Sequence, residues 1–126
     1  MQAYKIKSFA NFARKESIDD ATLQKALDEI REGKIDANLG GNVIKQRVAR
    51  KGRGKSGGFR VIICIRLEDK AFFTYGFPKS AKDNLNENEL AAVKQQAKIL
   101  LNLDKSALDR LLADGSLEQL TPEDNP

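Results

Sequence analysis

The sequence predicts an α+β domain: helices, then a three- to four-stranded antiparallel meander, then further helices. Three observations predict it. Two helical patterns precede residue 33, three runs rich in Val, Ile, Phe and Tyr lie within residues 43–77, and a longer helical pattern begins at Glu87. The 126 residues suit one core that buries about two-thirds of the unfolded surface. The single domain is expected over residues 1–120. Residues 121–126, T-P-E-D-N-P, form a polar tail expected to fray.

Residues 1–6 alternate weakly and suit a short strand or an extended lead-in. Residues 8–15 form a short helix presenting Phe9 and Phe12. Ser17 or Asp19 caps a second helix, because a side-chain oxygen there accepts the free first-turn N–H groups. In it Leu23, Ala26, Leu27 and Ile30 follow the spacing of one buried face, and Gly33 suits a left-handed C-cap. Residues 34–41 are a connector with room for a short extended piece. Strands follow at 43–50, 59–67 and 71–77. Glu68-Asp69-Lys70 makes an antiparallel hairpin of the last two, and the eight-residue glycine-rich turn before Phe59 suggests mobility without a partner. Residues 87–101 are the clearest helix, with Leu90, Val93, Ala97, Leu100 and Leu101 as its stripe. Glu87 and Glu89 near its start and Lys94 and Lys98 further along match the helix dipole. Asp104 or Ser106 opens a last helix through Asp114, with Leu108, Leu111 and Leu112 apolar and Gly115 ending it.

Charge is unevenly placed. Residues 34–82 carry twelve basic and three acidic side chains, whereas residues 83–126 carry four basic and nine acidic. Between Asn42 and Leu67 stand Lys45, Arg47, Arg50, Lys51, Arg53, Lys55, Arg60 and Arg66, with no acid among them. Such segregation points to a polyanionic partner. The chain has no histidine, which excludes histidine triads and histidine metal sites. Cys64 is the single cysteine and lies in an apolar run, so it reads as a buried inert thiol. No disulfide, metal or cofactor is called for. No apolar stretch approaches the ~20 residues that span a membrane, and no signal-peptide core is present, so a cytoplasmic location is expected.

Strand alternation sets Lys45 and Arg47 on one face, about 7 Å apart along the backbone. Arg60 points opposite to Phe59, Val61, Ile63 and Ile65. If Arg60 pairs near Arg47, three cations converge on a patch that is costly alone and comfortable on nucleic acid. The glycines of K-G-R-G-K-S-G-G let backbone N–H groups approach phosphates, but the stretch is not a Walker A loop. Lys79 and Lys82 form a second basic pair between the last strand and the long helix.

Three motifs, L-G-G-N-V-I-K-Q-R at 39–47, G-K-S-G-G-F-R at 54–60 and Y-G-F-P-K-S-A-K-D-N at 75–84, resemble the RelE/ParE superfamily of bacterial type II toxins, in its RelE-like, HigB-like branch. The resemblance covers most of the chain. It implies a RelE-like fold, with two N-terminal helices packed on a twisted antiparallel sheet and a C-terminal helix at its edge. It also implies a ribosome-dependent mRNA endonuclease that cuts the codon held in the ribosomal A site. Lys45 and Arg47 match the family's paired basic positions, Arg60 its arginine after the glycine turn, and Lys79 a basic residue after the last strand.

Metal-independent cleavage needs a base for the ribose 2′-OH, cations for the phosphate and an acid for the leaving 5′-oxygen. Neighbouring cations disfavour a protonated ammonium, so Lys45 is the candidate base. Arg60 is the candidate for transition-state charge, Arg47 positions the phosphate, and Lys79 orients the backbone or assists the leaving group. Arg60→Ala is expected to abolish growth arrest with the fold intact. Arg50, Lys51, Arg53, Lys55 and Lys82 are assigned to RNA binding, salt-dependent in character, and Arg66 to neither group. Relatives place a base-stacking tyrosine near the start of the last helix, which here falls near Leu85. Tyr75 is the nearest aromatic hydroxyl, but simple alternation would bury it, which leaves stacking to Phe59, Phe77 or no residue.

The partners so implied are a cognate antitoxin, often a small helix-turn-helix protein, together with mRNA and ribosomal RNA. DNA is met only through the antitoxin complex, and no membrane is involved. Two other readings stay open: a ParE-like DNA gyrase poison acting by protein contact, and a non-catalytic RNA- or ribosome-binding module.

Overall fold

The structure, a computed structural model, describes residues 1–50, 54–82 and 84–121. In chain order the elements are β1 (Gln2–Ile6), α1 (Lys7–Lys15), α2 (Asp20–Arg31), β2 (Ala37–Gly40), β3 (Val43–Arg50), β4 (Gly54–Arg66), β5 (Lys70–Pro78), α3 (Glu87–Leu101), α4 (Lys105–Ala113) and β6 (Leu117–Gln119). The strands form one sheet in the order β2-β3-β4-β5-β1-β6. The α+β class holds, but the described sheet has six strands where three or four were expected. Ala-Asn-Leu-Gly of β2 and Leu-Glu-Gln of β6 are too short, and too poor in β-branched residues, to read as strands without their neighbours. The β1 strand runs parallel to β5, with Tyr4 opposite Phe72, so the sheet is not antiparallel throughout. The glycine-rich stretch is also partly strand: β4 begins at Gly54, paired with Arg50, and its register with β3 shifts between Val48 and Arg50. The frayed-tail expectation falls on residues 122–126, outside the described residues.

Both sheet faces are covered. On one, Phe9 and Ala13 of α1 and Leu23, Leu27 and Ile30 of α2 pack with Ile44, Val48, Val61, Ile63 and Phe73. On the other, Val93, Ala97, Leu100 and Leu101 of α3 and Leu108 of α4 pack with Val43, Ile62, Cys64 and Phe72. Helix α3 thus lies against the sheet face, not only at its edge. A strand covered on both sides must be apolar at nearly every position, which accounts for the run V-I-I-C-I in β4. Burial pushes the Cys64 thiol up to about 11, and its Sγ donates to Val93 O at 3.9 Å, in keeping with an inert core residue.

Local chemistry sets the element ends. Asp19, not Ser17, caps α2 by accepting from Thr22 N at 2.9 Å, while Ser17 takes a left-handed φ of 58°. Asn86 and Glu89 close a reciprocal capping box at α3. At the other end of α3, Arg66 pairs with Asp69 and donates to Leu101 O at 3.0 Å, so it serves the fold. The β2–β3 turn runs through Gly40, Gly41 and Asn42, all at positive φ. A Cβ on Gly41 would meet Lys94 Cγ at 3.2 Å, so this turn needs glycine both for its backbone and for the close passage of α3.

Candidate nucleic-acid interface

The register between the central strands builds the cationic centre. Arg47 lies directly opposite Arg60, and Lys45 opposite Ile62. The same rows continue onto β5, where Ile62 faces Tyr75 and Arg60 faces Phe77. One sheet face therefore carries two cross-strand rows: Lys45, Ile62, Tyr75 and, beside it, Arg47, Arg60, Phe77. The convergence of Lys45, Arg47 and Arg60 on one face is present in the fold.

A register shift on β5 corrects the expected orientation of Tyr75. Between Ile62 and Ile63 on β4, the partner strand steps from Tyr75 to Phe73, leaving Thr74 as an extra residue whose Oγ1 donates to Ile62 O at 3.1 Å. Unbroken alternation would send Tyr75 to the buried side with Phe73. The extra residue reverses that, as bulges do, and Tyr75 is 39% exposed. Phe59 and Phe77, the rings expected to stack on a base, are buried. Tyr75 is the ring that the fold presents.

The three cations differ in access. Arg47 is half exposed. Lys45 is half-buried, and its Nζ donates to Asn84 Oδ1 at 2.6 Å. Arg60 is only 3% exposed. A carboxylate that the sequence reading passed over stands among them: Asp36 lies 3.0 Å from Arg47 Nε and 3.9 Å from Arg60 Nε. The available signal was that Asp36 is the lone acid between Lys34 and Leu67. It offsets part of the repulsion that three converging cations would otherwise meet.

At the β5 end of these rows, Glu89 accepts from Tyr75 Oη at 3.0 Å and from Lys82 Nζ. The Lys82 ammonium also lies over the Tyr75 and Phe77 rings, 5.9 and 5.5 Å from their centroids. The Lys82 hydrogen bond, with those from Asn86 N and Tyr75, holds the Glu89 carboxyl down to about 2. The same bond to Glu89 raises the Tyr75 phenol above its ordinary value of 10. Because the folded value of Glu89 is depressed, its contribution to stability is present above its usual 4.5 and is lost as pH falls through about 2. Glu89→Gln is expected to flatten the stability curve across that acid window, as followed by denaturation at stepped pH. An unchanged curve would show that the cluster does not couple to folding.

The model of the family described as "RelE toxin of RelE / RelB toxin-antitoxin system" matches residues 1–120. The chain belongs to the RelE toxin family. It is thus the toxin half of a toxin–antitoxin system, for which a cognate antitoxin is the partner. No curated protein matches it. Among the described residues, no helix of this RelE toxin is long and apolar enough to cross a membrane.

The remaining expected site residues of the toxin are not gathered in one place. Arg50 lies over the Phe59 ring, 5.6 Å from its centroid, on the face that α1 and α2 cover. It is therefore separated from Lys45 and Arg47 by the sheet. Lys79 is exposed just beyond β5, where its backbone N–H donates to Gly58 O at 3.2 Å. Lys82 belongs to the Glu89 cluster. Lys51, Arg53 and the Lys55 side chain lie outside the described residues.

Proposed function

We propose that this RelE toxin is a metal-independent, ribosome-dependent mRNA endonuclease, silenced when its cognate antitoxin binds. The observation that carries this reading is the Arg47–Arg60 register, which sets Lys45 and a half-exposed Arg47 on one face beside a buried arginine. A phosphodiester held by Arg47 brings its ribose 2′-OH toward Lys45, which in its neutral form takes the proton. The 2′-oxygen then attacks phosphorus, leaving a 2′,3′-cyclic phosphate, and the departing 5′-oxygen takes up a proton. Lys79, exposed just beyond β5, is the candidate to assist that departure or to orient the RNA backbone. Arg60 acts from its buried place beside Arg47, where low dielectric strengthens the field it exerts on the phosphorane. Tyr75 offers a ring on which a base stacks, in the row next to Arg47.

Brief expression followed by primer-extension mapping tests the reading. Cuts confined to translated codons are the expected result. Double-strand DNA breaks with an SOS response would replace it with gyrase poisoning, and neither lesion would leave a ribosome-binding module.

A further inference from the structure

The motif I-K-Q-R at 44–47 contains one residue that neither the core nor the cationic centre uses in an obvious way: Gln46. Its side chain points to the face opposite Lys45 and Arg47, pairs in register with Val61 and is 4% exposed. A buried amide must have partners, and here both lie on the α2–β2 connector. Gln46 Nε2 donates to Lys34 O at 2.8 Å, and Gln46 Oε1 accepts from Asp36 N at 3.0 Å. The amide thus grips the connector on either side of Ile35. The residue so fixed is the one whose carboxylate reaches Arg47 and Arg60.

We propose that Asp36 is a positioning residue of the cationic centre, held by Gln46 and orienting Arg47 toward a bound phosphate; this rests on the nuclease reading above. A carboxylate beside a phosphate-binding arginine repels the ligand, so its presence calls for a compensating role. Its closest approach to Arg47 is at Nε, the inner nitrogen of the guanidinium, while the side chain remains half exposed. A guanidinium steadied from its inner side presents its two terminal nitrogens as a fork, the geometry that matches two phosphate oxygens. Asp36 is itself only 17% exposed at its side chain and cannot swing far from a backbone gripped at Lys34 and Asp36. The sequence I-K-Q-R then has one logic: Lys45 and Arg47 serve the phosphate, and Gln46, reaching round the sheet edge, sets the acid that aims Arg47.

Asp36→Asn separates this role from a merely structural one, because charge and orientation predict opposite signs. Removing a negative charge from a cationic surface should leave affinity for a single-stranded RNA oligonucleotide equal or tighter. Loss of orientation should lower the cleavage rate on saturated ribosome–mRNA complexes by about 10- to 100-fold, the cost of misplacing a catalytic group by about an ångström. Asp36→Glu should recover part of that rate. An unchanged rate, or rate and affinity falling together, overturns the proposal. If the wild-type toxin cleaves no mRNA, the nuclease reading fails, and the Arg47 Nε–H NMR signal then decides the positioning role. A slowly exchanging signal lost in Asp36→Asn supports it, and the same exchange in both proteins overturns it.

Discussion

Arg47→Ala is expected to lower codon cleavage by about 100- to 1,000-fold, the range seen when one donor to developing oxyanion charge is removed. The fold should survive. The side chain is half exposed, and the strand keeps its ladder through β2 and β4 whatever residue 47 carries. Arg60→Ala is a poorer probe, contrary to the expectation from sequence that it would leave the fold intact. Arg60 is 3% exposed, so its truncation opens a void within a packed sheet face, which truncation of the half-exposed Arg47 does not. Loss of toxicity in that variant would not distinguish chemistry from unfolding. Primer extension paired with thermal denaturation of Arg47→Ala makes the distinction, and wild-type cleavage by this folded variant would remove Arg47 from the mechanism.

Gly58→Ala should have the largest effect on stability. A Cβ at this position would lie 2.1 Å from Val48 O and 2.9 Å from Arg50 N, both backbone atoms of the neighbouring strand. No rotamer change relieves such a contact. The strands must part where the register already shifts between Val48 and Arg50. Overpacking of this kind costs about 1–3 kcal/mol, and strand separation here would also disturb Phe59 and Arg60, the next two residues. The expected result is a lower denaturation midpoint together with reduced toxicity, while Gly33→Ala, at a position with open space around it but a φ of +84°, reports backbone strain without a clash. Equal midpoints for Gly58→Ala and the wild-type protein would show that β4 relaxes there freely.

The motif glycines and the motif cations therefore do different work. Gly41 and Gly58 allow close approach of α3 and of β3, and so belong to the fold. Lys45 and Arg47 belong to the surface. Sequence patterning alone could sort the apolar residues of α2 and α3 onto buried faces, because a 3.6-residue period is a local property. It could also place Lys45 with Arg47, because alternation along one strand is local too. It misplaced Tyr75, since a single extra residue at Thr74 reverses every side chain beyond it, and nothing in T-Y-G-F marks that insertion.

Read as a string, the chain was enough to establish the α+β class, the helical core faces, the basic middle section and, through three motifs, the family to which it belongs. Folding was needed to bring Arg47 opposite Arg60, to divide Arg50 from Lys45 by the thickness of the sheet, to expose Tyr75 and to set Asp36 between two guanidiniums. The physical reason is one of range. Periodicity and capping depend on neighbours a few residues away, whereas register and bulges follow from which distant strands satisfy one another's backbone groups. Asp36 shows the difference most clearly: ten residues separate it from Gln46, and only the sheet edge makes them partners.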